Sequence, residues 1–305
     1  ITGLVEQWIL GPGSSGYNNY GVGVFLTSSQ ENGTQSYYKK MFSARSSEYF
    51  FSRPVIEARW DNSQKDNRGN FIVSSSALSS TNNLNVLYIY NYHRGQLTNI
   101  NGIGTGSIYV SLHTSASGGE QLTATPSNPV TGGYVSTGIY SASFALYTTA
   151  STVHDRWFSG STYYNTGSFS VSTHDPYDYN DIEQYVTNIT NLKSSYSTED
   201  TARFRLFSRL KDWSPTIYTV ASTQIQNYFV EDAFYKVVRV IDNKEVIGYG
   251  TGSTNHTKLS YDTSGSYFDL DMGLLEPGYL YSIKLSYYLQ GSYEEQKETF
   301  NFRVE

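Results

Sequence analysis

The stretch ARFRLFSRL, residues 202–210, alternates in polarity with a period of two residues. In an extended chain, Phe204, Leu206 and Ser208 would share one face, and Arg205, Phe207 and Arg209 would lie on the other. Because successive side chains of a strand point to opposite faces of a sheet, this pattern predicts a half-buried β-strand.

Runs with similar chemistry recur along the whole chain, and turn-forming segments separate them about every ten residues. They are YGVGVFLTS (20–28), NVLYIYNY (85–92), GSIYVSLHT (106–114), GIYSASFALYT (138–148), AFYKVVRVID (233–242), YLYSIKLSYYL (279–289) and ETFNFRVE (298–305). The 305 residues include 29 Tyr and 26 Gly but only 2 Met. Aromatic and β-branched residues favour strands, and Gly favours turns, so the sequence predicts an all-β fold built of sandwiches.

The segment DIEQYVTNITNL, residues 181–192, carries two competing patterns. Its apolar residues follow helical spacing, whereas Thr187 and Thr190 with the neighbouring Val and Ile favour a strand. We interpret the segment as a strand.

Two polar segments mark domain boundaries, DNSQKDNRGN after Trp60 and THDPYDYND at residues 173–181. They divide the chain into residues 1–60, 61–178 and 179–305. The second and third portions have the size of sandwich domains, and we expect both to be immunoglobulin-like.

The segment VIEARW, residues 55–60, follows Pro54 and ends on Trp60. Proline is tolerated at the first residue of a strand, so the segment is typical of a strand that closes a domain. The residues before it are few for an independent sandwich without disulfides.

Residues 1–60 resemble the second half of a DNRLRE-type jelly-roll domain. The matching positions are Thr2, Leu4, Val5 and Trp8, then Asn19, Tyr20 and Gly21, then Phe42, Ser43, Arg45 and Ser46, with Pro54 leading the last strand. The third of these groups departs from the family's motif at two positions, since Ala44 separates Ser43 from Arg45 and Ser46 stands where the family has Glu. The resemblance implies a partial jelly-roll whose first half lies upstream, so that the chain is a C-terminal portion of a longer product.

Most of the chain resembles virion structural proteins of marine tailed bacteriophages. The segments that carry this resemblance are residues 53–71, 82–97, 189–222 and 266–289. It implies a virion location, in a neck, tail, fibre or capsid-surface appendage. The implied partners are other virion proteins and further copies of the chain in a homo-oligomer or symmetric assembly.

Charge and composition exclude several classes of partner and site. Charged residues make up 16% of the chain and the net charge is −6, so we expect no nucleic-acid partner. No apolar run approaches the ~18–20 residues of a membrane span, so we expect no membrane partner. Because Cys is absent, the fold has no disulfides and no thiolate metal site, which suits a bacterial or viral protein folded in a reducing cytosol.

The candidate catalytic and metal-binding motifs lack the residue spacing that such sites require. The five His show no zinc-site spacing, and DNSQKDNRG departs from a calcium loop because Lys65 and Asp66 occupy its fifth and sixth positions. The carboxylates of HDPYDYNDIE, residues 174–183, fall on a segment that we interpret as a solvated linker. We therefore expect no catalytic residue, cofactor or metal.

Aromatic side chains are the remaining candidates for contact. Tyr177 and Tyr179 lie near a domain boundary and are candidates for a protein interface. Trp157, in HDRWFSGS, has polar neighbours and is the candidate for exposed stacking on a glycan.

Two functions fit these residues. The first is a non-enzymatic structural protein whose sandwiches act as rigid spacers and whose loops and edges contact neighbouring virion proteins. The alternative is a carbohydrate- or receptor-binding module of a fibre or an extracellular protein, with a host-surface glycan as its partner. A depolymerase would need convergent carboxylates beyond the linker cluster.

Overall fold

The structure is a computed structural model that describes residues 2–12, 16–35, 41–79, 83–173, 184–211 and 227–305. The chain divides into two compact units, Ile1–Val55 and Ile56–Glu305.

The first unit contains helix α1 (Thr2–Leu10), the short helix α2 (Ser28–Glu31) and a 3-10 turn (Phe50–Ser52). Leu4, Val5 and Trp8 are half-buried on α1. Their spacing of one and four residues places them on one side of a helix, so the same residues that match the jelly-roll motif also suit an amphipathic helix.

The expected strands of residues 1–60 are wrong for the part that the structure describes, where no β-strand forms. Residues 20–27 and 55–60 are without strand pairing, and Phe25, Val55 and Trp60 are exposed. A strand needs a neighbour to accept and donate its backbone hydrogen bonds, and the described residues supply none here.

The described residues of the second unit form twenty strands, labelled in chain order. They are β1 (Phe71–Ile72), β2 (Asn85–Tyr90), β3 (Tyr92–His93), β4 (Gln96–Leu97), β5 (Ile108–His113), β6 (Gln121–Leu122), β7 (Ala124–Thr125), β8 (Val130–Ser136), β9 (Ile139–Leu146), β10 (Thr152–Ser159), β11 (Thr162–Ser172), β12 (Tyr185–Ile189), β13 (Ser195–Tyr196), β14 (Thr201–Leu210), β15 (Ala233–Arg239), β16 (Lys244–Ile247), β17 (Ser260–Asp262), β18 (Gly265–Asp271), β19 (Leu280–Leu289) and β20 (Ser292–Val304). The described part of the unit also contains 3-10 turns at Asn67–Gly69 and Met272–Leu274. The all-β fold class is thereby confirmed.

Strands between residues 71 and 172 form the first sandwich. Its hydrogen-bonded order is β1-β11-β10-β5-β8-β9-β2, with β6 beside β5 and β7 beside β9. Phe71 of β1 and Phe144 of β9 are far apart in this order, yet their ring centroids are 5.8 Å apart. The sheet therefore folds over on itself, and the core is buried between its two layers.

Strand β8 passes from one layer of the sandwich to the other. Ile108 of β5 pairs with Gly132, whereas Ser141 of β9 pairs with Gly133. A Cβ atom at Gly132 would lie 2.7 Å from the Ser141 carbonyl oxygen, so only glycine fits this close approach. Strands that switch between packed sheets commonly turn at such glycines.

Strands between residues 185 and 304 form the last sandwich, which has two separate sheets. Their orders are β12-β14-β18-β17 and β13-β20-β19-β15-β16. With strands lettered in chain order, these are an A-B-E-D sheet facing an A′-G-F-C-C′ sheet, which is the immunoglobulin arrangement. Strand β13 runs parallel to β20, just as β1 runs parallel to β11 in the first sandwich.

The alternation that predicted strand β14 is confirmed by its burial. Phe204, Leu206 and Ser208 are buried, whereas Arg205, Phe207 and Arg209 are half-buried. The ambiguous segment also forms the predicted strand at Tyr185–Ile189, as β12.

Tyr281, near the start of β19, fixes the corner that leads into this strand. Its ring is fully buried, and its hydroxyl donates to the Glu276 carbonyl at 2.8 Å. Burial raises the pKa of Tyr281 to about 12, so the hydroxyl keeps its proton. The contact has the geometry of the tyrosine corner of immunoglobulin-like domains.

Candidate functional site: the joint between the sandwiches

Residues 61–70, here called the joint, join the last sandwich through backbone and side-chain hydrogen bonds. Lys65 forms a parallel bridge with Tyr261, because the Tyr261 N–H donates to Gln64 at 2.9 Å and the Asp66 N–H donates to Tyr261 at 3.0 Å. The Gln64 N–H donates to the Ser260 hydroxyl at 3.0 Å. The joint thus adds a short length of strand to the edge at β17.

Asn67 connects the two sandwiches through one buried amide. Its Nδ2 donates to the hydroxyl of Tyr261 in the last sandwich at 3.2 Å. Its Oδ1 accepts from the Val86 N–H in the first sandwich at 2.9 Å. Donor and acceptor are both used, so the side chain fixes the distance between β17 and β2.

Arg68 fastens the joint to the interior of the first sandwich. Its Nη1 and Nη2 donate to Oδ1 and Oδ2 of Asp155 at 2.8 and 2.7 Å. Asp155 is completely buried, and its Oδ2 also accepts from Trp157 Nε1 at 2.7 Å. Burial acts to lower the pKa of Arg68, but Asp155 outweighs it and the pKa is raised. Such forked, hydrogen-bonded geometry is what a buried ion pair requires.

Asp66 is buried in the joint without an ion-pair partner among the described residues. Its Oδ1 accepts from the Arg68 N–H at 3.1 Å, and the backbone of Tyr88 also bonds to it. Burial raises the pKa of Asp66 to about 6, although these backbone hydrogen bonds act in the opposite direction.

A pocket of about 200 Å³ lies beside the joint, with Gln64 and Arg203 in its wall. Its charges are already paired, since Arg203 binds Asp269 at 2.8 and 2.9 Å and Lys258 binds Asp232. Its three aromatic side chains are less than 9% exposed. The pocket therefore offers neither a free charge nor an open ring face.

Three aromatic rings form a patch on the outside of the first sandwich, here called the aromatic patch. Phe158 of β10 pairs with Tyr109 of β5 and with Tyr163 of β11, and the ring centroids are 6.0 and 5.5 Å apart. Tyr109 is 37% exposed and Tyr163 is 58% exposed. The Arg156 guanidinium lies 5.9 Å from the Tyr163 centroid. Such rings offer large, rigid contact area to a partner.

The prediction that Trp157 is exposed for glycan stacking is wrong, because its side chain is completely buried. Strand β10 alternates, so Val153, Asp155 and Trp157 point inward while His154 and Arg156 point outward. The polar neighbours that suggested exposure are the outward half of this alternation. Tyr177 and Tyr179, the predicted interface residues, lie outside the described residues.

The segment DNSQKDNRG forms turns and the joint. Asp61 accepts from the backbone and hydroxyl of Ser63 at 2.9 and 2.5 Å, and Asp66 caps the 3-10 turn at Asn67–Gly69. Across the described ranges, no group of three His, Cys, Asp or Glu side chains converges on a metal position. The carboxylates of residues 174–183 lie outside those ranges.

The sequence held only indirect signals for the joint. An acidic residue one place from Arg156 and two from Trp157, on a strand with period two, indicates a buried carboxylate at Asp155. Such a group needs a cation, but nothing in the spacing identifies Arg68, which is 87 residues away.

No family model matches this chain, and no curated protein matches it significantly. Solved structures with likeness to it include a marsupial T cell receptor (8% identity, 78% of this chain and 71% of that chain, TM-score 0.25). Others are the Yersinia pseudotuberculosis adhesin InvE (12%, 77% and 56%, TM-score 0.23) and the N-terminal Ig1-2 module of the Drosophila receptor protein tyrosine phosphatase DLAR (8%, 80% and 97%, TM-score 0.23). At these TM-scores the likenesses carry no inference about function. In the described residues, no helix has the length and apolar character needed to span a bilayer.

Proposed function

We propose that the chain is a non-enzymatic structural component of a tailed-phage virion and acts through protein–protein contacts. The observation that carries the proposal is the joint. Asn67 bonds to both sandwiches, and Arg68 closes a buried ion pair with Asp155, so the two sandwiches are held as one stiff spacer. A stiff spacer suits an appendage that must hold its neighbours at a fixed distance. The resemblance to virion structural proteins supports the same location.

The aromatic patch is the surface that we assign to contact with a neighbouring virion protein or a second copy of the chain. Contact energy at interfaces is concentrated in a few aromatic and arginine side chains near the centre of the buried area. Tyr109, Phe158 and Tyr163 with Arg156 have this composition and are contiguous across three strands. The glycan-binding alternative has lost Trp157 as its contact residue.

A cryo-EM reconstruction of a tailed phage that encodes this chain tests the proposal. We expect the chain to lie in a neck, tail, fibre or capsid-surface position, with the aromatic patch buried against another protein and both sandwiches in the relative orientation set by the joint. Absence of the chain from the particle would overturn the proposal. If the last sandwich instead projects freely at an appendage tip and the aromatic patch is exposed, receptor binding would become the proposed function.

A further inference from the structure

Asp66 is the one carboxylate of the joint that is buried without a cation, as far as the described chain shows. It is 3% exposed. The nearest guanidinium, that of Arg68, is fully engaged by Asp155 through both of its Nη atoms. An ionised carboxylate held in this way has lost its water and gained only backbone hydrogen bonds in exchange.

Among the described groups that face Asp66, only Arg68 and the backbone of Tyr88 favour its charged form, and burial outweighs them. Arg68 on its own segment is the one cation whose charge acts on it strongly. From β2 it faces Tyr88 and Tyr90, and from the last sandwich it faces Tyr261 and Asp262. Asp262 carries the same charge and is itself bound by Arg205 at 2.6 Å.

The side chain of Tyr90, which faces Asp66, also lacks a polar partner among the described residues. Its hydroxyl is buried and has no hydrogen-bond partner in the part of the chain that the structure describes. Burial and then the charge of Asp66 raise its pKa, so the hydroxyl stays neutral and cannot take the place of a cation. A protonated Asp66 would bring an O–H donor into this cluster, where the unpaired oxygen of the Tyr90 hydroxyl is an acceptor.

We propose that Asp66 makes the joint a proton-sensitive lock, which is closed most firmly when this carboxyl is protonated and loosens when it ionises. The joint is where this matters, because the Asp66 backbone bonds to Tyr261 while the next residue, Asn67, bonds to both sandwiches. The lock would let acidity change the stiffness of the spacer without unfolding either sandwich.

The direction of the effect follows from linkage. In the closed joint the pKa of Asp66 is about 6, and on opening to water it returns to its ordinary value of 3.8. The closed state therefore binds the proton more tightly than the open state does. The resulting stabilisation of the closed joint is complete below pH 3.8 and is lost as the pH rises through 6. Two pKa units correspond to a roughly hundredfold change in the opening equilibrium.

Hydrogen exchange of the full chain measures this opening directly. The probes are the joint amides of Asp66 and Tyr261, which bond across the joint, and the reference is the amide ladder of β19. After correction for the intrinsic pH dependence of exchange, we expect protection of the joint amides to fall roughly hundredfold between pH 4 and pH 8. Protection within β19 should stay constant over the same range.

Two variants complete the test. Asp66→Asn mimics the protonated carboxyl and should make the protection of the joint independent of pH, whereas Asp61→Asn, in the same segment, should behave as wild type. The proposal is overturned if wild-type protection is flat from pH 4 to pH 8. It is overturned equally if Asp66→Asn retains the wild-type pH dependence. If Asp66→Asn fails to fold, the pH dependence of joint protection in the wild-type chain alone supports or overturns the proposal.

Discussion

Arg68 and Asp155 meet through two parallel hydrogen bonds of 2.8 and 2.7 Å, although 87 residues separate them. Asp155 is completely buried, and the Arg68 side chain is 17% exposed. A buried ion pair adds little net stability compared with apolar groups, but the loss of one partner leaves the other charge buried and unpaired. The pair therefore acts as a requirement that the joint be in place before the first sandwich is fully stable.

Arg68→Met keeps most of the side-chain volume and removes the charge. We expect the first sandwich to lose about 3–5 kcal/mol, because Asp155 is left buried without its cation. Urea denaturation of the full chain measures this as a lower transition midpoint. The matched control is Arg59→Met, since Arg59 also donates two hydrogen bonds to one carboxylate, from Nε and Nη2 to Glu57 at 2.8 and 2.9 Å, but both side chains are about half exposed. That exposed pair should be worth no more than about 1 kcal/mol, and equal losses in both variants would contradict this account.

Gly132 and Gly133 are neighbours on β8 with opposite surroundings. A Cβ atom at Gly132 would lie 2.7 Å from the Ser141 carbonyl oxygen and 3.2 Å from the Ala142 Cβ, whereas one at Gly133 would meet nothing within 4 Å. We expect Gly132→Ala to destabilise the first sandwich by about 1–3 kcal/mol through overpacking. Gly133→Ala should change its stability far less, and thermal unfolding of the two variants makes the comparison. A similar shift in both would show that the close approach at Gly132 is unimportant.

Tyr281→Phe removes only the hydroxyl of the tyrosine corner. The Glu276 carbonyl loses its 2.8 Å donor at a partly buried position, and we expect a cost of about 1–3 kcal/mol in the last sandwich. Tyr288→Phe, on the same strand, is the control because Tyr288 is 42% exposed. Its effect should stay within about 0.5 kcal/mol in the same urea titration.

The aromatic patch should govern association and leave stability unchanged. We expect the isolated chain to associate at high concentration, and the double substitution Tyr109→Ser with Tyr163→Ser to weaken this association at least tenfold, as for two contact residues at an interface. Multi-angle light scattering across a concentration series measures the change. Tyr288→Ser with Tyr293→Ser provides the control, since these rings are also exposed but lie on the last sandwich. A wild-type chain that stays monomeric throughout would count against the patch as a self-contact surface.

The fold class could be predicted because its signal is local. The alternation of residues 202–210 requires only that one face be buried, and β14 buries Phe204, Leu206 and Ser208 as expected. The strands expected at residues 20–28 and 55–60 do not form, for a related reason. Strand pairing depends on a partner that no local pattern identifies, whereas the spacing of Leu4 and Trp8 also satisfies a helix, which needs no partner for its backbone.

The candidate site was less predictable because it depends on long-range pairing. The polarity around Trp157 suggests an exposed side chain, although an alternating strand places polar residues on both sides of every buried one. The polar composition of the joint indicates a domain boundary and does not reveal its contacts. Its composition is polar because Asn67, Arg68 and Asp66 serve two sandwiches, and their partners Tyr261, Val86 and Asp155 become neighbours only after folding.

The parallel pairing of an early strand with the last strand of each sandwich determines how the chain would carry a pulling load. In the first sandwich β1 lies parallel to β11, and in the last sandwich β13 lies parallel to β20. In each parallel pair, the start of the early strand and the end of the last strand therefore lie at opposite ends of the sandwich. Tension along the chain would act on these strand pairs in shear, so their hydrogen bonds, including those from Arg303 to Ser194 and from Glu305 to Tyr196, would have to break together instead of peeling apart singly.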